Sequence, residues 1–96
     1  MGVYVIAQIS ITDRAAYNKY QARFMDVFNQ FDGQLLAADE APHVIEGDWN
    51  REKVILMKFP DKDSFEKWAY SPEYQEIAKD RYAGSEGVFL LVKSLD

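Results

Sequence analysis

The stretch Val3-Tyr4-Val5-Ile6-Ala7-Gln8-Ile9-Ser10-Ile11-Thr12-Asp13 decides the fold, because the hydrophobic period changes directly after it. Val3, Val5, Ala7, Ile9 and Ile11 alternate with Tyr4, Ile6, Gln8 and Ser10, and the run is rich in β-branched residues, so it reads as a strand. Thr12 and Asp13 are helix-capping residues, and beyond them Tyr17, Tyr20, Phe24, Val27, Phe28 and Phe31 recur at steps of three and four. The spacing predicts a helix reaching about Phe31. A strand that passes straight into a helix with one apolar stripe needs further strands to bury that stripe.

Those strands are legible downstream. Gly33 is the expected left-handed stop after the helix, and Leu35-Leu36-Ala37-Ala38 begins a second strand. Asp39-Glu40-Ala41-Pro42 bends it, His43-Val44-Ile45-Glu46 resumes an extended stretch, and Gly47-Asp48-Trp49-Asn50-Arg51 turns the chain. Lys53 to Phe59 reads as a third strand, stopped by Pro60. Asp61 or Asp63 caps a short helix carrying Phe65 and Trp68. Ser71-Pro72-Glu73 then starts another, with a capping serine, a proline in the first helical position and an acid in the first turn. Tyr74, Ile77, Ala78 and Tyr82 form its apolar stripe, residues 84–87 break it, and Val88-Phe89-Leu90-Leu91-Val92 is the last strand. The order is β-α-β-β-α-β with the second helix split. With right-handed crossovers this is an α+β, ferredoxin-like sandwich, expected as a single domain over residues 1–96.

Such a plan covers one face of its sheet with helices and leaves the other bare. The third and fourth strands are nevertheless apolar on both faces: Val54 and Leu56 oppose Ile55, Met57 and Phe59, while Val88, Leu90 and Val92 oppose Phe89 and Leu91. At about 1.5–3 kcal/mol per large apolar side chain, half a dozen left in water would exceed the margin of a small domain. A second copy of the chain is the expected cover, giving a homodimer through the sheet face, with the third and fourth strands central to the contact.

Composition removes several function classes. The 96 residues contain no cysteine, which excludes disulfide scaffolds, thiolate metal sites and cysteine nucleophiles. Lys and Arg number 11 against 16 Asp and Glu, a net charge of −5, and the cations are scattered, so nucleic acid and anionic membranes are not expected partners. Met1 to Ser10 lacks the basic flank and uninterrupted apolar run of a secretory signal, and a cytoplasmic location is expected. Nucleotide-loop, zincin and serine-hydrolase strings are absent.

The residues suited to chemistry are few. His43, the only histidine, is a candidate general base, or else a surface loop residue. His43 and Glu46 differ by an odd step, which in a strand sends them to opposite faces, so no metal site is expected. Glu46 reads either as a buried carboxylate with a raised pKa or as a group that closes the hairpin through backbone N–H bonds. Trp49 either lines a pocket or clamps that hairpin. Tyr17, Tyr20, Trp68 and Tyr74 fall on buried stripes and read either as core or, with phenols facing a helix–sheet gap, as the wall of an amphipathic cavity for a small aromatic or carbonyl compound. Arg81 is the cation expected at its mouth, or else a surface partner for acids on its own helix. The resulting candidate site has His43, Glu46 and Arg81 in catalytic positions and Tyr17, Tyr20, Trp49, Trp68 and Tyr74 against the substrate.

With Asp13-x-x-x-Tyr17-x-x-Tyr20, Glu46-Gly47-Asp48-Trp49, Phe59-Pro60, Trp68 and Ser71-Pro72-Glu73-Tyr74-Gln75, the chain resembles domain of unknown function 1330. The resemblance runs from Val3 to Val92. It implies membership of the dimeric α/β-barrel superfamily, in which two ferredoxin-like protomers pack sheet against sheet, and no established activity. Where the family commonly carries an Arg-Gly-Gly run beside the second strand, this chain has Ala37-Ala38-Asp39, so an anion site on that arginine is not carried over. By analogy with the superfamily, one expectation is a cofactor-independent isomerase or oxygenase acting on an enolisable or aromatic compound. In that reading His43 or Glu46 removes a proton while Arg81 and a tyrosine stabilise the oxyanion. The other is a non-catalytic metabolite-binding or accessory module. Neither calls for a bound cofactor.

Overall fold

In the computed structural model, which describes residues Met1–Asp96, Val3–Ile11 forms β1, Arg14–Phe28 α1, Gln34–Asp39 β2, Lys53–Phe59 β3, Lys62–Ala69 α2, Pro72–Gly84 α3 and Ser85–Lys93 β4. The strands make one antiparallel sheet in the order β2-β3-β1-β4, the ferredoxin-like α+β plan. No helix is long and apolar enough to cross a membrane.

Register divides the sheet into two unlike faces. Val3, Val5, Ala7 and Ile9 of β1 are buried together with Lys53, Ile55, Met57 and Phe59 of β3. Their ladder pairs, such as Val5 with Met57 and Ala7 with Ile55, put these residues on the helix-covered face. Tyr4, Ile6, Gln8, Val54 and Leu56 alternate to the other face and are half-buried. On β4, Gln8–Val88, Ile6–Leu90 and Tyr4–Val92 pairs assign Val88, Leu90 and Val92 to that uncovered face. The five residues Val88–Val92 are 38–46% exposed although all are apolar. β4 is an edge strand of the sheet, and β1 and β3 are its central pair.

Each helix begins where a side chain replaces a missing backbone acceptor. Asp13, not Thr12, caps α1, taking bonds from the N–H groups of Ala15 and Ala16 at 3.1 and 3.3 Å. Asp61, not Asp63, caps α2 through Ser64 N–H at 2.7 Å. Ser71 caps α3 through Tyr74 N–H at 3.1 Å, with Pro72 in the first turn, as expected.

Four local expectations are corrected. First, α1 ends at Phe28 rather than Phe31: Gln30 and Phe31 donate to carbonyls three residues back, at 3.1 and 3.0 Å, so Phe31 prolongs the apolar stripe on a tightened turn. Second, Gly33 is not left-handed; Gly47 is the only glycine with positive φ. A Cβ on Gly33 would instead stand 2.6 Å from ring atoms of Phe28 and Phe59. Third, His43–Glu46 is not a strand. Asp39 Oδ1 accepts from Ala41 N–H at 2.8 Å, which turns the chain off the ladder. Fourth, residues 84–87 do not separate helix from strand. The backbone of Gly84 lies against α1, where a Cβ would be 2.5 Å from Tyr17 N, and its carbonyl accepts from Thr12 and Asp13 N–H. The chain then enters β4 at Ser85 with no loop.

Ser71 both caps α3 and donates its hydroxyl to the Trp68 carbonyl at 2.8 Å. Ser71→Ala removes both bonds and is expected to cost about 0.5–2 kcal/mol, read as a lower urea midpoint at unchanged slope.

Candidate functional site

The Ser71 hydroxyl fixes the angle between α2 and α3, because it joins the last turn of one to the first turn of the other. That angle brings the Trp68 and Tyr74 rings to 4.3 Å between centroids. Trp68 is held from the sheet side by Phe59, stacked at 5.5 Å, and by the edge-on ring of Phe28 at 5.4 Å. The Tyr74 hydroxyl meets that of Tyr20 at 2.9 Å, one phenol donating and the other accepting in a buried pair. Two turns along α3, Arg81 lies between two rings, its guanidinium carbon 4.4 Å from Phe89 and 4.6 Å from Tyr82. Tyr82 does not continue the apolar stripe of α3: it is exposed, and its ring serves as a cover for Arg81.

Between α2, α3 and β4 these residues line a cleft of about 230 Å³, whose walls include Phe65, Trp68, Tyr74, Arg81, Phe89 and Leu91. Two of its lining groups, the Trp68 indole N–H and the Arg81 Nε–H, are buried without a hydrogen-bond partner in the protein. A buried donor left unpaired costs about 1–3 kcal/mol, so these two groups are the unsatisfied polar positions of an otherwise apolar cleft. No carboxylate or imidazole lines it.

The structure does not gather all eight expected site residues. Trp68, Tyr74 and Arg81 share this cleft, and Tyr20 touches it through the Tyr74 hydroxyl. Tyr17 and Tyr20 line a second cleft of about 300 Å³ on the opposite flank of the helices, between α1 and β2–β3. Trp49 lies across the sheet from both, where its indole donates to Gln8 Oε1 at 3.1 Å on the uncovered face. His43 and Glu46 are exposed and flank an open hollow beside Trp49 and Val54 on that face. The sheet therefore stands between His43 and Arg81.

Sequence reasoning passed over Lys53. It lines the second cleft, is only 5% exposed, and stands in phase with Ile55, Met57 and Phe59 on the helix-covered face. A cation in the buried register of a strand was the available signal. No three His, Asp or Glu side chains converge as a metal site.

The model of the family described as Domain of unknown function (DUF1330) matches residues 2–95. The chain belongs to that family. Among solved structures, this DUF1330 chain is similar to a protein of unknown function from Rhodopseudomonas palustris, with a TM-score of 0.83 at 18% identity over 99% of this chain and 83% of that one. It is also similar to SnoaB, a cofactor-independent oxygenase from Streptomyces nogalater, with a TM-score of 0.71 at 18% identity over 99% and 94% of the two chains. A dimeric ferredoxin-like protein of unknown function from Thermobifida fusca aligns with a TM-score of 0.70 at 11% identity, over 98% and 92%. At these identities the likeness is one of fold. No curated protein matches the DUF1330 chain significantly in sequence.

Burial raises the pKa of both phenols on α1: Tyr17 is pushed up to about 12, and Tyr20, with Tyr74 beside it, well above the ordinary value of 10.0. Because the folded values are the higher ones, their contribution to stability is complete below pH 10 and falls as the pH rises through the folded pKa values. The urea midpoint is therefore expected to drop between about pH 10 and pH 12. Tyr20→Phe, though less stable at neutral pH, should show a shallower alkaline drop; an unchanged drop would contradict the assignment.

Proposed function

We propose that the α2–α3–β4 cleft binds a small planar compound bearing an enol, phenol or carbonyl oxygen, and that the chain works there as a cofactor-independent oxygenase or isomerase. The observation that carries this reading is the pair of unpartnered donors, Trp68 N–H and Arg81 Nε–H, at one apolar cleft. Apolar walls and rings supply affinity for a flat ring system, and the two donors supply the place for an oxyanion. His43 and Glu46, across the sheet, are not the base. The substrate is accordingly one acidic enough to ionise as it meets Arg81, and the resulting electron-rich enolate is the reactive species. The cofactor-independent oxygenase from Streptomyces nogalater lends support by fold analogy. The lack of any base on the cleft wall favours a second reading, a non-catalytic module that holds the same class of compound.

The working unit we propose is a cytoplasmic homodimer, supported by dimeric relatives of this fold and by the apolar uncovered face. Ile6, Leu56, Val88, Leu90 and Val92 would meet their counterparts sheet to sheet, burying more than about 1,000 Å² in total. Sedimentation equilibrium at micromolar concentration should give about twice 11.1 kDa. Leu90→Lys should shift it towards the monomer.

The acidic enol 2-hydroxy-1,4-naphthoquinone serves as a probe, followed by tryptophan fluorescence. Trp68→Phe and Arg81→Met should each weaken its binding by about tenfold, the equivalent of one lost charge-assisted or buried hydrogen bond. Trp49→Phe and His43→Ala should leave it unchanged. Oxygen uptake, or isomer formation by NMR, with enolisable aromatic compounds then separates enzyme from binding module. Equal binding by all four variants would overturn the site.

A further inference from the structure

The cleft between α1 and β2–β3 has no part in the function proposed above, yet it contains the chain's one buried amine. Lys53 opens β3 with its side chain on the helix-covered face, and its ammonium makes no ion pair. Nζ has one hydrogen bond, to Gln21 Oε1 at 3.2 Å, although a lysine carries three donors. The Tyr17 ring lies 4.9 Å from Nζ. Gln21, Tyr17 and Lys53 itself all line the cleft, so the amine stands at its wall rather than inside the core. The remaining lining is mostly apolar: Phe24 and Ile55 are buried, and Met25, Leu35 and Ala38 are exposed at the lip. At about 300 Å³ the space takes a molecule the size of a substituted benzene ring or a short branched chain.

We propose that Lys53 is a carbonyl-reactive amine, which forms a reversible Schiff base with an apolar aldehyde or ketone bound in this cleft. A buried ammonium with one hydrogen bond is poorly solvated, which favours the neutral, nucleophilic form. Burial depresses its pKa, while Glu40 opposes that shift and Arg14, paired with Glu40 at 2.9 Å outside the cleft, adds to it. The phenols facing it, Tyr17 and Tyr20, are uncharged at neutral pH. The Nζ lone pair attacks the carbonyl carbon, forming the C–N bond as the carbonyl π pair moves to oxygen. The oxygen takes up a proton and nitrogen releases one to solvent, giving a carbinolamine. Loss of the hydroxyl with a further proton, as water, leaves the imine. Nothing is oxidised or reduced. The cleft opens on the helix side, so a second copy on the uncovered sheet face leaves it accessible, and the inference is independent of the α2–α3–β4 site.

The test is reductive trapping on the whole protein at pH 7 with benzaldehyde and cyanoborohydride, whose hydride converts the imine to a stable secondary amine. Peptide mapping should find the benzyl adduct on Lys53 at least tenfold above the exposed lysines Lys19, Lys62, Lys67 and Lys79. Lys53→Met should lose that adduct while keeping the far-ultraviolet circular dichroism of the natural protein. Should that variant fail to fold, the map of the natural protein decides alone. Labelling of Lys53 no greater than that of the exposed lysines overturns the proposal, as does an adduct of undiminished extent in folded Lys53→Met.

Discussion

Three helical segments on a four-stranded sheet cannot cover it, and everything distinctive in this molecule follows from that shortfall. Only β1 and β3 have their helix-side residues fully buried; β2 and β4, at the edges, do not. The aromatic side chains of α1, α2 and α3 converge over the central pair and fill the space there, with Phe28, Phe59 and Trp68 in mutual contact. What is left lies at the two flanks, one cleft against β4 and one against β2. Each flank holds a polar group that the packed centre could not have accommodated: Arg81 on one side, Lys53 on the other.

Legibility in the sequence tracked the regularity of the backbone. The alternation in β1 and β3, the three-four spacing of Tyr17 to Phe28 and the Ser71-Pro72 start are repeating or capping signals, and the observed elements carry them. Periodicity has no voice in residues 40–52, where side-chain bonds such as Asp39 to Ala41 N–H and Trp49 to Gln8 set the path. Reading His43–Glu46 as extended strand kept those residues beside the sheet edge. The actual loop carries them to the face away from the helices, and the expected grouping of His43 with Arg81 fails for that reason. The glycines show a related limit. Gly33 and Gly84 read as conformational breaks, but both answer a lack of room, which depends on neighbours distant in sequence.

The packed centre and the two flanks differ in how they handle polarity. Tyr20 and Tyr74 satisfy one another through their hydroxyls, so their pairing costs the core little. Trp68 N–H and Arg81 Nε–H are left without partners, and Lys53 has one bond where three are possible. Unpaired polar groups are normally removed from a packed interior unless another molecule completes them. Both flanks are thus places where folding stops short of satisfying its own chemistry.

The direct passage of α3 into β4 has a mechanical side. Ser85 is the first residue of the strand, and its hydroxyl donates to the Arg81 carbonyl in the last helical turn at 2.7 Å. The last turn of α3, which carries Arg81, and the open edge strand are therefore joined without a loop and tied by that hydrogen bond. In the proposed working unit, a second copy resting on β4 and a compound resting against Arg81 would meet the same continuous stretch of chain, since Arg81 also stacks on Phe89 of β4. If the proposed dimer contact changes the affinity for that compound, thermodynamic reciprocity makes the compound change the dimer's affinity by the same factor. Occupancy of the cleft would then depend on the abundance of the chain itself.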